Sequence, residues 1–121
     1  MFKLMVVDDS NIIRNRIQRA YDDNHFMLVA TATNGADAVE KFEIHRPDVI
    51  TMDLTMPQMD GLECIQKIIA IDSSVRILVV SALSDKSTGI KALSLGAGGF
   101  LCKPFSEEEL VEALDELMSD Y

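Results

Sequence analysis

Five polar side chains in this sequence each come directly after a short apolar run. Asp8 and Asp9 follow the first run, Asp53 the third, Ser81 the fourth and Lys103 the fifth. If these runs are parallel strands, their carboxyl ends meet at one edge of a sheet, which is where open parallel sheets bind ligands. We therefore expect three carboxylates, one hydroxyl and one ammonium group to lie together at that edge.

Three neighbouring carboxylates repel one another, by about 4 kcal/mol per pair at about 4 Å if the effective dielectric constant is about 20. A cation is needed to offset this repulsion. Mg²⁺ prefers oxygen ligands, keeps several waters and is commonly bound by one or two carboxylates together with a substrate phosphate. The set of residue types therefore predicts a Mg²⁺ site that serves phosphoryl transfer.

The five apolar runs predict five β-strands. The runs are rich in Val, Ile, Leu and Met, and most are continuous, which is typical of strands that are buried on both faces. The predicted strands span residues 3–7, 27–32, 48–52, 77–80 and 99–102.

Apolar residues at helical spacing fill the segments between and after the strands. Ser106 and Glu109 form a capping box at the start of the fifth helix. Five strand–helix units predict an α/β fold, a doubly wound (βα)₅ parallel sheet with right-handed crossovers and helices on both faces. The predicted apolar stripes are Ile13, Ile17, Ala20 and Tyr21; Ala38, Val39 and Phe42; Leu62, Ile65, Ile68 and Ile69; Ile90, Leu93 and Leu95; and Leu110, Val111, Leu114, Leu117 and Met118.

Length and composition predict one globular domain over residues 1–121. Apolar residues make up 48% of the chain and charged residues 26%, and no linker separates two regions of different composition. The formal net charge of −9 would repel a phosphate backbone, so we expect no direct nucleic-acid binding. The apolar runs are too short to span a bilayer, and we expect no membrane insertion and a cytoplasmic location. Cys64 and Cys102 lack the spacing of a redox or zinc motif and are expected to be small core residues.

Taken together, the motifs resemble the receiver domains of response regulators in two-component signalling. The matching segments are residues 6–10 (VVDDS), 52–57 (MDLTMP), 59–61 (MDG), 81–82 (SA) and 103–105 (KPF), in that order along the whole chain. The likeness is greatest to stand-alone, CheY-like receivers, and it implies a flavodoxin-like strand order of 2-1-3-4-5. The start at Met1 and the end at Tyr121 favour a stand-alone chain over a receiver cut from a longer regulator.

The resemblance implies a role for each acidic residue. Asp53 would accept a phosphoryl group from a sensor histidine kinase or a histidine phosphotransfer protein. Asp8, Asp9, Asp53 and the backbone carbonyl of Thr55 would hold Mg²⁺. The chain would not be an enzyme acting on other substrates, since it would catalyse only its own phosphorylation and dephosphorylation.

The resemblance also implies a switch. Lys103, which should precede a cis peptide bond to Pro104, and Ser81 would contact phosphoryl oxygens. As Ser81 moves, Phe100, which stands where several chemotaxis receivers have Tyr, would turn inward. The surface of the fourth helix, fifth strand and fifth helix would then bind an output protein, such as a flagellar motor switch component in chemotaxis. We expect a monomer before phosphorylation.

The sequence is also compatible with several other functions. The chain could be a phosphorelay intermediate, a receiver from a transcriptional regulator, or an atypical receiver that binds partners without phosphorylation. A Mg²⁺-dependent phosphohydrolase with an aspartyl-phosphate is remote, because it needs a second acid where Thr55 stands. A flavin-binding module is remote because Asp8 and Asp9 would repel the flavin phosphate. Taken alone, Asp8 and Asp9 could simply cap a helix.

Overall fold

The computed structural model describes residues 2–20, 26–54, 61–82 and 86–119. Strands and helices alternate along this part of the chain, as the sequence predicts. The elements are β1 (Phe2–Val7), α1 (Asn11–Ala20), β2 (Phe26–Ala32), α2 (Gly35–His45), β3 (Val49–Asp53), α3 (Gly61–Ile71), β4 (Arg76–Ala82), α4 (Lys86–Ser94), β5 (Gly99–Lys103) and α5 (Glu107–Leu117).

The five strands form one parallel sheet in the order β2-β1-β3-β4-β5. This order confirms the flavodoxin-like (βα)₅ prediction. The hydrogen-bonded register brings the carboxyl ends of the four strands β1, β3, β4 and β5 to the same edge. The partners at that edge are Val7 with Met52, Asp53 with Val80, and Ala82 with Lys103.

Helices cover both faces of the sheet and bury two apolar clusters. The cluster on one face includes Phe42 of α2 and Ile65 of α3, and the cluster on the other includes Ile17 of α1 and Leu114 of α5. All four side chains belong to the predicted stripes, whereas the predicted Tyr21 lies outside the described residues. Among the residues described, no helix has the length and apolar character needed to cross a membrane.

Burial differs between the central and the edge strands. β3 is fully buried and most residues of β1 and β4 are buried, but most residues of β2 and β5 are only half-buried. The prediction of burial on both faces is therefore wrong for the two edge strands, because each has a neighbour on one side only. Cys102 of β5 is half-buried for the same reason, whereas Cys64 is buried as expected.

The apolar stripe predicted for the fourth helix is wrong at Ile90 and Leu93, whereas Leu95, just after α4, is half-buried and packs on the apolar cluster. Ile90 is 68% exposed and Leu93 is 42% exposed, while Gly89 and Ala92 face the protein interior. A Cβ atom on Gly89 would lie only 2.0 Å from Cε2 of Phe100, so the backbone of α4 lies very close to the Phe100 ring. With the ring in this position there is no room for a side chain at residue 89, and the next buried residue of the helix, Ala92, is also small.

Polar side chains fix the starts of three helices. Ser106 and Glu109 form the predicted capping box of α5, and Asn34 accepts a hydrogen bond from the backbone N–H of Asp37 in α2. The hydroxyl of Ser10 accepts a hydrogen bond from the Ile13 N–H, 3.3 Å away, in the first turn of α1. These caps fix where each helix leaves the carboxyl edge of the sheet.

Thr51, in the middle of β3, allows the energetic effect of a buried polar group in the core to be tested. Its side chain is buried, and its hydroxyl has no hydrogen-bond partner among the residues described. We expect T51V to raise the free energy of unfolding by about 1 kcal/mol, because it removes an unpaired buried hydroxyl and keeps the side-chain shape. Urea denaturation measures this, with T51S as the control that keeps the hydroxyl and loses a methyl group. A lower urea midpoint for T51V than for the unsubstituted chain would contradict the expectation.

Candidate functional site

Three carboxylates meet at the carboxyl edge of the sheet. Asp8 and Asp9 follow β1, and Asp53 is the last residue of β3. One carboxylate oxygen from each lies within 4.8 Å of the other two. Asp8 and Asp53 are buried, with 1% and 5% exposure, while Asp9 is exposed. The structure thus brings together the three acidic residues that the sequence singled out.

Hydrogen bonds hold Asp8 in place on every side. Its backbone N–H donates to the carbonyl of Ala32 at 3.0 Å, and its own carbonyl accepts from Nη1 of Arg14 at 2.6 Å. Its Oδ1 accepts from the Ser10 N–H at 2.9 Å. These contacts tie the residue that carries the carboxylate to β2 and to the start of α1. We did not predict this role of Arg14 from the sequence. The only sequence signal for it was a basic residue about one turn into the helix that follows the two acidic residues.

Lys103, the last residue of β5, points its ammonium group at this cluster. Its Nζ lies 3.1 Å from Oδ2 of Asp8 and 3.8 Å from Oδ2 of Asp53. The Lys103–Pro104 peptide bond is cis, as the resemblance implies. Arg16 of α1 donates from Nη1 to the carbonyl of Phe105 at 3.3 Å. Through Arg14 and Arg16, helix α1 thus contacts the segments that follow β1 and β5, next to Asp8 and Lys103.

The charges at this edge do not balance. At 4.8 Å, two carboxylates repel each other by about 3 kcal/mol if the effective dielectric constant is about 20. The ammonium of Lys103 offsets one of the three negative charges. The remaining excess of negative charge favours binding of a cation between the carboxylates.

The donor atoms fit a hard divalent cation. All three are carboxylate oxygens, and the oxygens around one Mg²⁺ are about 3 to 4 Å apart because each lies about 2.1 Å from the ion. The 4.8 Å limit observed here requires only a small closing movement. Asp8, Asp9 and Asp53 could therefore hold such an ion. Thr55, whose backbone carbonyl is the fourth predicted ligand, lies outside the described residues.

Ser81 and Phe100 lie on the same side of the sheet. In the β4–β5 register, Val79 is opposite Phe100, and Ser81 is opposite Cys102. Phe100 packs on the apolar cluster that contains Val79, and Ser81 points to the same side because side chains alternate along a strand. Ser81 is buried, and Phe100 is half-buried. The roles of both residues in a switch stay predictions.

Known proteins are similar to this chain over almost its whole length. The family described as the response regulator receiver domain matches residues 4–115. The chemotaxis protein CheY of Listeria monocytogenes is 40% identical over 116 residues, which cover 96% of this chain and 98% of that protein. CheY of Bacillus subtilis is 40% identical over 117 residues, covering 97% and 98% of the two chains.

Solved structures agree with the sequence relatives. The response regulator domain of Thermotoga maritima CheB superposes with a TM-score of 0.88 at 32% identity, covering 100% of this chain and 98% of that one. A chain of the CheX–CheY–BeF₃–Mg²⁺ complex of Borrelia burgdorferi gives a TM-score of 0.90 at 30% identity, covering 96% and 88%. With its parallel sheet, its acidic cluster and these relatives, the chain belongs to the response regulator receiver domain family, as a CheY-like member.

Proposed function

We propose that this chain is a signalling switch that accepts a phosphoryl group on Asp53. The observation that carries the proposal is the position of the Asp53 carboxylate, which lies within 4.8 Å of the Asp8 and Asp9 carboxylates and 3.8 Å from the Lys103 ammonium. The Asp53 oxygens are close to a cation-binding carboxylate pair and to a fixed positive charge. Phosphoryl transfer needs positive charge close to the attacking oxygen, because the transferred group is itself an anion.

The placement of the side chains supports the following reaction. An oxygen of Asp53 attacks the phosphorus of a phosphohistidine, the phosphorus–nitrogen bond breaks, and the histidine nitrogen takes a proton. The product is an acyl phosphate on Asp53. Since Lys103 Nζ is 3.8 Å from Asp53 Oδ2, its ammonium can reach an oxygen of a group bound there. The hydroxyl of Ser81, near the end of β4, would donate a hydrogen bond to another phosphoryl oxygen.

Mg²⁺ held by Asp8, Asp9 and Asp53 would supply the positive charge that the incoming phosphoryl group needs. The similar CheY of Borrelia burgdorferi occurs in a complex with CheX, BeF₃ and Mg²⁺, which supports the same cation here. In our proposal the chain acts on no other substrate and catalyses only its own phosphorylation and dephosphorylation.

The proposed donor is a sensor histidine kinase or a histidine phosphotransfer protein, and the proposed pathway is chemotaxis. The CheY relatives support this pathway. The output partner would bind the face formed by α4, β5 and α5, where Ile90 and Leu93 are exposed. A flagellar motor switch component is the kind of partner we propose. Capture of a histidine phosphotransfer protein by the phosphorylated chain would instead indicate a phosphorelay intermediate.

Removal of the metal tests the proposal. We expect the chain to gain the mass of one phosphoryl group when incubated with acetyl phosphate and Mg²⁺, and to gain none when EDTA replaces the Mg²⁺, because the carboxylates would then repel the donor. Intact-protein mass spectrometry after quenching in acidic denaturant measures the gain. No gain with Mg²⁺, or an equal gain in EDTA, would overturn the proposal.

A further inference from the structure

The ring of Phe100 lies directly against the backbone of α4 at Gly89. A Cβ atom built on Gly89 would lie 2.0 Å from Cε2, 2.4 Å from Cδ2 and 2.9 Å from Cζ of that ring. Separations below 3.0 Å are essentially never found for real Cβ atoms. The observed ring position is therefore compatible only with glycine at position 89.

Glycine at position 89 makes the helix less stable than alanine would, and the close contact with the ring accounts for its presence there. Gly89 lies inside the nine-residue helix α4 (Lys86–Ser94), and a glycine inside a helix is less favourable than alanine. Gly89 itself is buried, while the next residue, Ile90, is exposed. The buried face of α4 thus has a notch at Gly89 that receives the half-buried Phe100 ring.

The notch is close to the other parts of the proposed switch. Phe100 is opposite Val79, which is two residues before Ser81 on the same side of the sheet. A ring that leaves the notch loses apolar contact if it enters solvent, but it keeps apolar contact if it turns toward the buried end of β4 beside Ser81. The preference for keeping apolar surface out of water therefore favours the second direction.

We propose that Gly89 is a positioning residue that sets the resting place of Phe100 and thereby the balance of the switch before phosphorylation. This inference rests on the proposed function for its meaning in signalling. A side chain at position 89 would displace the ring toward Ser81 without any phosphoryl group. The residue type at position 89 thus decides how much of the switching free energy the phosphoryl group must supply.

Nuclear magnetic resonance of ring-labelled phenylalanine tests the displacement. The Phe100 signal is assigned with F100L and is recorded with and without Mg²⁺ and BeF₃⁻, the phosphoryl analogue. We expect the metal-free G89A variant to show its Phe100 signal more than halfway toward the position found for the unsubstituted chain with Mg²⁺ and BeF₃⁻. G98A is the matched control, because its new Cβ would meet Cδ1 of Leu117 and not the Phe100 ring.

A second measurement uses the reciprocity of linked equilibria. If G89A already favours the switched position, it should bind BeF₃⁻ in the presence of Mg²⁺ about fivefold more tightly than the unsubstituted chain, and G98A should not. A metal-free G89A signal at the unsubstituted resting position, or at a third position, would overturn the inference. So would BeF₃⁻ affinities that are equal in G89A and the unsubstituted chain.

Stability measurements keep the inference testable if G89A folds poorly. We expect alanine at position 89 to lower the urea midpoint when Phe100 is present and to raise it in the F100A background, where no ring occupies the notch. Equal effects in both backgrounds would contradict the inference. Failure of the unsubstituted chain to bind BeF₃⁻ would count against the proposed function, whereas the ring displacement in metal-free G89A tests the role of Gly89 separately.

Discussion

The D53N variant is expected to take up phosphoryl groups from acetyl phosphate more than about a thousand times more slowly than the unsubstituted chain. This factor corresponds to a barrier that is higher by about 4 kcal/mol. Asparagine has nearly the same shape as aspartate, but its neutral amide is a poor nucleophile and a weaker metal ligand. The fold should therefore persist while the chemistry is lost. Initial rates of mass gain in the presence of Mg²⁺ measure the effect.

A carboxylate far from the site provides the control for D53N. Asp72 follows α3 at the opposite edge of the sheet, where hydrogen bonds from the hydroxyl and the N–H of Ser74 lower the pKa of its carboxyl. D72N removes one negative charge, as D53N does, but it should leave the phosphorylation rate unchanged. If D53N gained phosphoryl groups as fast as D72N, Asp53 would not be the acceptor.

The largest expected loss of stability comes from G61A. Gly61 is the first residue of α3, and its N–H donates to the carbonyl of Leu54 at 3.0 Å. A Cβ atom there would lie 2.5 Å from Cα of Leu54 and 2.6 Å from the carbonyl oxygen of Asp53. Both are backbone atoms of the segment that carries the acceptor, and they cannot move aside cheaply. We expect G61A to lower the free energy of unfolding by about 3 kcal/mol.

The same substitution elsewhere should cost much less. In G98A the nearest atom to the new Cβ is Cδ1 of Leu117, at 2.6 Å, which is the end of a flexible side chain. Rotation of Leu117 can relieve this contact, so we expect a loss below about 1 kcal/mol. Urea denaturation of both variants gives the comparison. A G61A variant that is as stable as G98A would show that the approach of α3 to β3 is not as tight as described.

The sequence predicted most reliably those features of the fold and of the site that follow from local patterns. Apolar runs and helical stripes predicted ten alternating elements, and the rule that parallel sheets bind ligands at their carboxyl edge predicted that Asp8, Asp53 and Lys103 would lie together. The strand order itself came from the resemblance, because spacing alone does not decide which strands are neighbours.

The incorrect expectation for α4 has its origin in packing between elements. The pattern of large apolar residues placed Ile90 and Leu93 inside, yet the inward face of α4 has Gly89 and Ala92, and the Phe100 ring lies directly against the helix at Gly89. Helix-to-sheet distance depends on packing that a local pattern does not contain. The contact of Arg14 with the Asp8 carbonyl was missed for a similar reason, since it depends on how a loop folds back on α1.

The central claim is that Asp53 is the phosphoacceptor, and chemical trapping tests it most directly. Borohydride reduces an acyl phosphate of aspartate to homoserine, and the converted residue can be found by peptide sequencing in a mass spectrometer. After incubation of the unsubstituted chain with acetyl phosphate and Mg²⁺, we expect homoserine at position 53 and at no other aspartate. Conversion at Asp8 or Asp9, or conversion at no position in a chain that has gained phosphoryl mass, would contradict the claim.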